Sequence, residues 1–188
     1  MDDRELQWRE LGAKTVFRSP VFDIRARDCV SGDGMRGTYF AVDAPDWVTV
    51  IPEKGNDFVL VRQWRHGSTS MLTEFPGGMV DKGEDPAKAA ARELEEETGY
   101  RAGKLTKLGS VNPNPALFTN VFHVFLAEEL TDTGKQSLDA DERIDRLTLP
   151  AKEVIARFGS GEFVNAFMGT ALCLYQREKN LFRDEERH

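Results

Sequence analysis

Cysteine is scarce in this chain, which has 188 residues and only two cysteines, Cys29 and Cys173. Two cysteines are too few for a disulfide scaffold, and their separation does not match the paired spacing of a zinc site. We therefore expect both thiols to be free and buried as small apolar residues, as is usual in a reducing compartment. The cysteine content thus favours a cytoplasmic protein.

Long apolar runs and an excess of basic residues are also missing. No stretch approaches the roughly 18 apolar residues of a membrane-spanning helix. Residues 1–10, MDDRELQWRE, are acidic where a secretory signal would be basic and then apolar. The 25 Lys and Arg residues face 32 Asp and Glu residues, which gives a net charge of -7. Because nucleic-acid backbones are held chiefly by dense Lys and Arg surfaces, we expect neither a nucleic acid nor a membrane as partner.

Strand patterns dominate the first half of the chain. β-branched and aromatic residues recur in runs separated by turn residues: 13–30 with a break at Ser19-Pro20, 36–43, 47–53 and 57–64. The short gap between the last two runs indicates a hairpin. We expect residues 1–45 to form a small antiparallel β subdomain, followed by a main domain over residues 46–188.

One helix is bracketed by clear start and stop signals. Asp85 is a suitable N-cap, Pro86 suits the first helical position, and Gly99 suits the position just past the end. Between them, apolar residues at i, i+3, i+4 and i+7 form a stripe that we expect to pack on the sheet: Ala87, Ala90, Ala91 and Leu94.

The rest of the chain alternates between strand and helix patterns. We expect strands over 105–111, 120–130 and 144–149, then two closing helices over 151–158 and about 162–177. The order of strands, helix, strands and helices predicts an α/β fold in which a mixed sheet is sandwiched between helices, in α/β/α layers.

Acidic residues crowd the end of the helix that begins after Asp85. Glu93, Glu96 and Glu97 are spaced i+3 and i+4 and share one face, whereas Glu95 points elsewhere. Like charges at these spacings cost roughly 0.2–0.5 kcal/mol each. The helix dipole disfavours anions at this end by a further ~0.3–1 kcal/mol each. Either the face is simply solvated, or a cation such as Mg²⁺ or Mn²⁺ turns the repulsion into attraction.

The spacing across the whole segment favours the cation site. In GGMVDKGEDPAKAAARELEEETGY (77–100), Gly78, Glu84 and the acidic end of the helix fall at the fixed positions of the Nudix box. The chain thus resembles the Nudix hydrolases. The resemblance implies an α/β/α sandwich, a divalent cation and hydrolysis of a nucleoside diphosphate linked to another moiety. It also implies that Glu84 supports the loop by ion pairing, and a contact between Glu84 and the metal stays open.

The same resemblance implies roles for individual residues of the box. Glu93, Glu96 and Glu97 are expected to be the metal ligands, together with the backbone carbonyl of Gly77. Mg²⁺ is the expected ion, with Mn²⁺ as the alternative. Arg92 is expected to orient the carboxylates by pairing with them.

The flanking segments resemble one branch of the family, the ADP-ribose and nucleotide-sugar pyrophosphatases. The resemblance rests on VRQWRHG (61–67), TEFPGGMVDKGE (73–84) and Pro115. It implies a small-molecule nucleotide-sugar substrate and a homodimer formed with the help of the N-terminal β subdomain. Ala116 and Asn120 stand where ADP-ribose enzymes typically have Gly and Glu. ADP-sugars and GDP-sugars, GDP-mannose included, are therefore expected on equal terms with ADP-ribose.

Several substrate contacts are expected outside the box. Arg65 and Arg62 are expected to bind phosphate, because a guanidinium fork matches its geometry. Tyr39 and Trp47 are candidates for stacking on the nucleobase, and packing in a core is the alternative for both. Pro115 is carried over from the resemblance as a further substrate contact.

A general base is expected in the polar loop 137–145. The resemblance implies this, because in that branch the base is commonly a Glu in a loop downstream of the box. Glu142 aligns best, two positions before the apolar Ile144 at the start of a predicted strand, and Asp139 and Asp141 are the alternatives. The competing interpretation is a loop that is merely solvated. Two other functions stay open: hydrolysis of a dNTP or dinucleoside polyphosphate, and a non-catalytic nucleotide-sugar sensor.

Overall fold

The computed structural model describes residues 3–140 and 142–181. Within these ranges the chain forms four helices and nine strands. In chain order they are α1 (Asp3–Leu6), β1 (Trp8–Arg18), β2 (Asp23–Ser31), β3 (Arg36–Asp43), β4 (Trp47–Lys54), β5 (Asp57–Arg65), β6 (Ser70–Glu74), α2 (Pro86–Thr98), β7 (Tyr100–Val111), β8 (Phe122–Asp132), β9 (Ile144–Pro150), α3 (Ala151–Arg157) and α4 (Ala166–Glu178). None of the helices in these ranges is both long and apolar enough to cross a membrane.

An antiparallel sheet with the strand order β1-β2-β3 forms the first of two compact units. This first unit comprises the described residues up to Asp46 together with Asn112–Val121. The break predicted at Ser19-Pro20 is the turn between β1 and β2, where the Ser19 hydroxyl donates to the carbonyl of Phe22 at 2.7 Å. Every residue of β1 is exposed. The predicted small antiparallel sheet is therefore confirmed, and Asn112–Val121 is an addition to it that no sequence pattern indicates.

The second unit contains a mixed sheet with the order β6-β5-β4-β8-β7 and with β9 paired to β5. Strands β4 and β8 run parallel, in register from Trp47 opposite Phe122 to Pro52 opposite Ala127. The predicted hairpin joins β4 to β5, and Gly55 supplies its positive φ of 64°. Pairing in this hairpin covers only Glu53–Phe58 and Lys54–Asp57. Beyond it, β5 leaves β4 and pairs with β6 and β9 instead.

Two apolar clusters cover the two faces of the mixed sheet. Strand β4 contributes Val48 and Val50 to the cluster under α2, whereas its Ile51 belongs to the other cluster. That division follows from the alternation of side chains along a strand. The second cluster receives Val154 of α3 and Met168 of α4. Helices therefore lie on both faces, and the predicted α/β/α sandwich is confirmed.

Helix α2 has the predicted bounds but a different buried face. The Asp85 carboxylate accepts from the Ala87 N–H at 2.9 Å, and Gly99 closes the helix with a φ of 68°. The predicted apolar stripe is partly wrong, since Ala87 and Ala91 are exposed. The buried residues are Ala89, Ala90, Leu94, Glu97 and Thr98. An alanine methyl gains little from burial, so the packed face turns toward Leu94 and takes Glu97 with it.

Three further expectations need correction. Strand β6 was not expected from the sequence, because Gly67 to Ser70 interrupt the apolar run. Helix α4 begins at Ala166 and not near residue 162, since the Asn165 side chain caps it by accepting from the Phe167 N–H at 2.8 Å. Cys173 is exposed and Cys29 is half-buried, although both are free. Cys173 lies outside the apolar stripe of α4.

Candidate active site

Burial of α2 against the sheet carries two of its carboxylates into the protein. The Glu97 residue is 3% exposed. The side chain of Glu93 retains 12% of its exposure and that of Glu96 retains 39%. The acidic end of the helix is therefore not a uniformly solvated face. Glu95, by contrast, forms a surface ion pair of 2.6 Å with Arg101.

Among the described residues, the Glu97 carboxylate has one hydrogen-bond donor, the Gly77 N–H at 2.8 Å. Burial raises the pKa of Glu97 to about 8, and the nearby charges of Glu93 and Glu142 act in the same direction. The Gly77 hydrogen bond and the charge of Arg65 oppose that rise. Burial also raises the pKa of Glu93, against the pairing with Arg92. Within the described chain, Glu97 thus lacks an ion-pair partner that would favour its ionised form, whereas for Glu93 the ion pair with Arg92 offsets only part of the effect of burial.

Arg92 links the acidic residues of the box. Its guanidinium donates to both oxygens of Glu84, at 3.1 and 3.0 Å. It also donates to Glu93 at 2.8 Å and to Glu96 at 3.1 Å. A fifth hydrogen bond of 3.1 Å reaches the carbonyl of Met79. One planar cation therefore fixes the loop before α2 relative to two of its carboxylates.

Two glycines let the loop pass between β4 and these carboxylates. The Val48 N–H donates to the Gly78 carbonyl at 2.9 Å. A Cβ atom on Gly77 would collide with the carbonyl oxygen of Val48, and one on Gly78 would collide with the Glu93 carboxylate. Glycine is thus required at position 77 by the approach of the β4 backbone, whereas a side chain at position 78 would displace the Glu93 carboxylate.

Glu142 lies near the same carboxylates. The negative charge of Glu142 helps to raise the pKa of Glu93 and that of Glu97. Its own side chain accepts from the Asp139 N–H at 3.1 Å. Both acids line a cleft of about 600 Å³, whose other walls are Arg62, Met71, Leu138, Ala140, Arg143, Ile144 and Asp145. Asp141, the third candidate base, lies outside the described residues.

The two arginines predicted to bind phosphate are paired with acids. Arg62 makes a bidentate contact with Glu162, at 2.8 and 2.6 Å. Hydrogen bonds from Arg62 and from Thr73 lower the pKa of Glu162 to about 2. Arg65 donates to the buried carboxylate of Glu74 at 2.7 Å. The edge of Arg62 that would face a phosphate is therefore occupied by Glu162.

Glu74 and Glu162 were not identified from the sequence as partners of these arginines. The sequence did offer a signal for Glu74. It is a single acidic residue between Thr73 and Phe75 at the buried end of a strand, and a buried acid needs a partner such as an arginine. Glu162 had none, because it pairs with Arg62 across a long separation in the chain.

The predicted nucleobase contacts divide between the two units. Trp47 belongs to the second unit and packs edge-on against Phe167, with ring centroids 5.2 Å apart. Tyr39 belongs to the first unit and is 49% exposed, with its ring 5.2 Å from that of Trp8. Pro115 is an exposed residue of the first unit. Trp47 thus has a packing role, whereas Tyr39 and Pro115 are accessible.

The carboxylates of Glu93, Glu96 and Glu97 on α2 suit a hard divalent cation, although they do not yet point at one common position. In the described ranges, no three Asp, Glu, His or Cys side chains form a ready-made metal site. Arg92 holds Glu93 and Glu96, and the Gly77 N–H holds Glu97. Carboxylate oxygens are the ligands that Mg²⁺ and Mn²⁺ prefer. A cation would also add positive charge beside the buried Glu97 carboxylate.

Comparisons with known proteins agree with the geometry. The model of the NUDIX domain matches residues 44–167. An ADP-ribose pyrophosphatase of Bacillus subtilis is 31% identical over 181 residues, which is 95% of this chain and 97% of that protein. A GDP-mannose pyrophosphatase of Klebsiella pneumoniae is 35% identical over 173 residues, 86% of this chain and 83% of that protein.

A solved structure shares the fold. The crystal structure of an ADP compounds hydrolase superposes with a TM-score of 0.83 and 26% identity, covering 94% of this chain and 96% of that one. The matched domain contains the whole segment from Gly77 to Tyr100. The chain therefore belongs to the Nudix hydrolase family, in the branch that includes these ADP-ribose and GDP-mannose pyrophosphatases.

Proposed function

We propose that this protein hydrolyses the diphosphate linkage of a nucleoside diphosphate sugar and releases a nucleoside monophosphate and a sugar phosphate. The observation that carries the proposal is the acidic end of α2, where Glu97 is buried, Glu93 is partly buried and Arg92 pairs with Glu93 and Glu96. The substrate class is supported by the relatives, which are named for ADP-ribose and GDP-mannose. ADP-ribose and GDP-mannose are accordingly the first substrates to test.

Nudix hydrolases generally require a divalent metal ion, and we propose Mg²⁺, with Mn²⁺ as the alternative. Glu93, Glu96 and Glu97 would hold it, with the carbonyl of Gly77. When bound, such an ion offsets the charge of a diphosphate and lowers the pKa of a coordinated water. Until then, Arg92 orients Glu93 and Glu96 through its hydrogen bonds to both.

Glu142 is proposed as the general base, with Asp139 as the second candidate. In the reaction, Glu142 accepts a proton from the water whose oxygen attacks one phosphorus. The bond from that phosphorus to the bridging oxygen breaks, and the bridging oxygen leaves on the other phosphate. Its place in a cleft of about 600 Å³ gives Glu142 access to a substrate.

The arginines of β5 are proposed to bind the diphosphate. Arg65 uses its Nε toward Glu74 and keeps its two terminal nitrogens for a phosphate. Arg62 must first exchange Glu162 for the substrate, because the pair occupies its fork. Tyr39, Pro115 and Trp47 remain proposed contacts to the nucleoside, with Trp47 the weakest of the three since it packs on Phe167.

We also propose a homodimer that uses the first unit. Its strand β1 is exposed along its whole length in the described chain, and this exposed strand carries Trp8, Leu11, Val16 and Phe17. Such a surface is typical of an interface. The exposed apolar residues of the unit include Trp8, Leu11, Val16, Phe17, Val21, Phe22, Tyr39 and Phe40. In this proposal, residues 1–45 are the dimerising subdomain and residues 46–188 are the hydrolase domain. We also propose that the protein is cytoplasmic, because free thiols such as Cys29 and Cys173 persist in a reducing compartment.

A substrate panel tests this function against its alternatives. The purified protein is incubated with Mg²⁺ or Mn²⁺ and ADP-ribose, GDP-mannose, other nucleotide sugars, dinucleoside polyphosphates or dNTPs. A phosphatase then releases phosphate from the monoester products of nucleotide sugars, and an inorganic pyrophosphatase reports on dNTP cleavage. We expect nucleotide sugars to be turned over best. If only dNTPs or dinucleoside polyphosphates are turned over, the protein is a hydrolase of those nucleotides instead. Tight binding of a nucleotide sugar without turnover would favour a non-catalytic sensor.

A further inference from the structure

The C-terminal end of α2 is tied to the segment of chain that carries Glu142. The last carbonyls of a helix have no donor within the helix and need partners from elsewhere. Here the partners come from the loop after β8 and from β9. Four consecutive carbonyls accept hydrogen bonds from them: those of Glu96, Glu97, Thr98 and Gly99.

Two of these carbonyls belong to proposed metal ligands. The Ser137 N–H donates to the carbonyl of Glu96 at 2.9 Å. The side-chain amide of Gln136 donates to the carbonyl of Glu97 at 2.5 Å. The loop therefore contacts the backbone of Glu96 and Glu97, while their carboxylates remain available to the site.

The carbonyls of Gly99 and Thr98 accept hydrogen bonds from Thr133 and Arg146. Thr133 donates both its N–H and its hydroxyl to the carbonyl of Gly99, each at 2.8 Å. A Cβ atom on Gly99 would lie 2.7 Å from the carbonyl oxygen of Lys135, so only glycine allows the loop this close. Arg146 donates to the carbonyl of Thr98 at 2.6 Å.

Glu142 lies between these anchors. Gln136 and Ser137 precede it, and Arg146 follows it at the start of β9. Arg146 is itself held in place, 3.7 Å from Asp132 and with its guanidinium 5.0 Å from the centre of the Tyr100 ring. Both flanks of the Glu142 segment are thus fixed to the helix that carries Glu93 and Glu97.

We propose that Gln136 is a positioning residue: its side-chain amide fixes to α2 the loop that leads to Glu142, and so holds this loop beside the helix that carries Glu93 and Glu97. The inference rests on the proposed function, since it requires Glu142 to be the base. Ser137 contributes a backbone N–H that almost any residue would supply, whereas the Gln136 contact depends on the side chain. A donor at this position also faces the negative end of the helix dipole.

Replacement of the amide by an isosteric side chain without a donor tests the role. Gln136→Met should lower kcat for the preferred nucleotide sugar by about 10- to 100-fold, because a displacement of about 1 Å is enough for such a loss. KM should change by less than about twofold, since the substrate contacts are untouched. Gln136→Lys, which restores a donor that suits a helix C-terminus, should recover most of the loss. Gln176→Met on α4 is the matched control and should behave as the wild type.

A double-mutant cycle asks whether Gln136 acts through Glu142. If it does, Gln136→Met should change kcat by less than about twofold in a Glu142→Gln background, where the base is already lost. Full additivity of the two losses would overturn the positioning role while leaving Glu142 as the base. A Glu142→Gln variant with wild-type activity would remove the base from the proposed function and the positioning role with it.

Two readouts need no turnover. Hydrogen exchange in metal-free protein should be faster at the Ser137 amide in Gln136→Met, because the neighbouring anchor is lost. Calorimetric binding of Mg²⁺ alone should change by less than about threefold, since the ligand carboxylates keep their contacts. Unchanged exchange at Ser137, or a loss of Mg²⁺ binding as large as the loss in kcat, would overturn the inference.

Discussion

The backbone N–H of Gly77 donates a 2.8 Å hydrogen bond to the carboxylate of Glu97, and it is the one donor found for that buried group among the described residues. The contact joins the loop that precedes α2 to the last turn of the same helix. A buried carboxylate with so little compensation is expected to respond to pH and to cations.

The stability of the metal-free protein should fall between acidic and mildly alkaline pH. The pKa of Glu97 is raised from 4.5 to about 8 by burial, so the folded state keeps a proton that the unfolded state loses in this window. Its contribution to stability is complete below pH 4.5 and is lost as the pH rises through about 8. The loss is on the order of a few kcal/mol.

The measurement is thermal unfolding in EDTA from pH 5 to pH 8.5. The wild-type Tm should fall by several degrees across this range. Glu97→Gln cannot ionise and should remove most of the slope, whereas Glu95→Gln at the surface should keep it. Mg²⁺ should raise the wild-type Tm most at the alkaline end. A slope that persists in Glu97→Gln would assign it to another group.

Arg92→Lys should weaken metal binding despite retaining the charge. A lysine ammonium is a single point and cannot contact Glu84, Glu93 and Glu96 together, as the guanidinium does. We expect the Mg²⁺ affinity measured by calorimetry to fall by about 10- to 100-fold. The matched control is Arg101→Lys, because Arg101 pairs with Glu95 outside the site. Equal losses in both variants would show that Arg92 has no special role.

Glu162→Gln should lower KM. The pKa of Glu162 is about 2, because Arg62 and Thr73 donate to it, so the carboxylate stays ionised and paired throughout the assay range. Glutamine holds Arg62 less strongly, which frees the guanidinium for a phosphate. We expect KM for the nucleotide sugar to fall by about 3- to 10-fold with little change in kcat. A raised KM would mean that the Arg62–Glu162 pair shapes the site and is not displaced.

The exposed face of the first unit should mediate a homodimer. The side chains of Phe17 and Phe40 are exposed in the described chain, at 51% and 57%. Light scattering should give twice the chain mass of 21.2 kDa for the wild type. Phe17→Lys should shift the mass toward a monomer at micromolar concentrations, whereas Leu181→Lys, at an exposed site of the second unit, should not. A monomeric wild type would contradict the proposed dimer.

The sequence predicted the ends of a helix well where the signals for them lie in adjacent residues. Asp85, Pro86 and Gly99 fixed the bounds of α2 because capping depends on adjacent backbone groups. The buried face of that helix was predicted less well, since the sheet and not the alanine spacing decides which side of α2 is covered. The pairing of Glu162 with Arg62 could not be predicted, because it depends on the fold that brings distant residues together.

The candidate site divides in the same way. The positions of Glu93, Glu96 and Glu97 follow from helical spacing together with the Nudix box. Their different degrees of burial do not, and neither does the anchoring to α2 of the chain on both sides of Glu142. Sequence patterns therefore identified the acidic residues, and the structure distinguishes their surroundings.

The most direct test of the account is the Mg²⁺ dependence of turnover for three proteins: the wild type, Glu97→Gln and Glu95→Gln, each with ADP-ribose and GDP-mannose. We expect the wild type and Glu95→Gln to hydrolyse at least one of these substrates with rates that saturate in Mg²⁺. Glu97→Gln should lose about 10²-fold or more, because a ligand of the proposed ion is gone. Wild-type turnover in Glu97→Gln, or an equal loss in Glu95→Gln, would contradict a metal site at the buried end of α2.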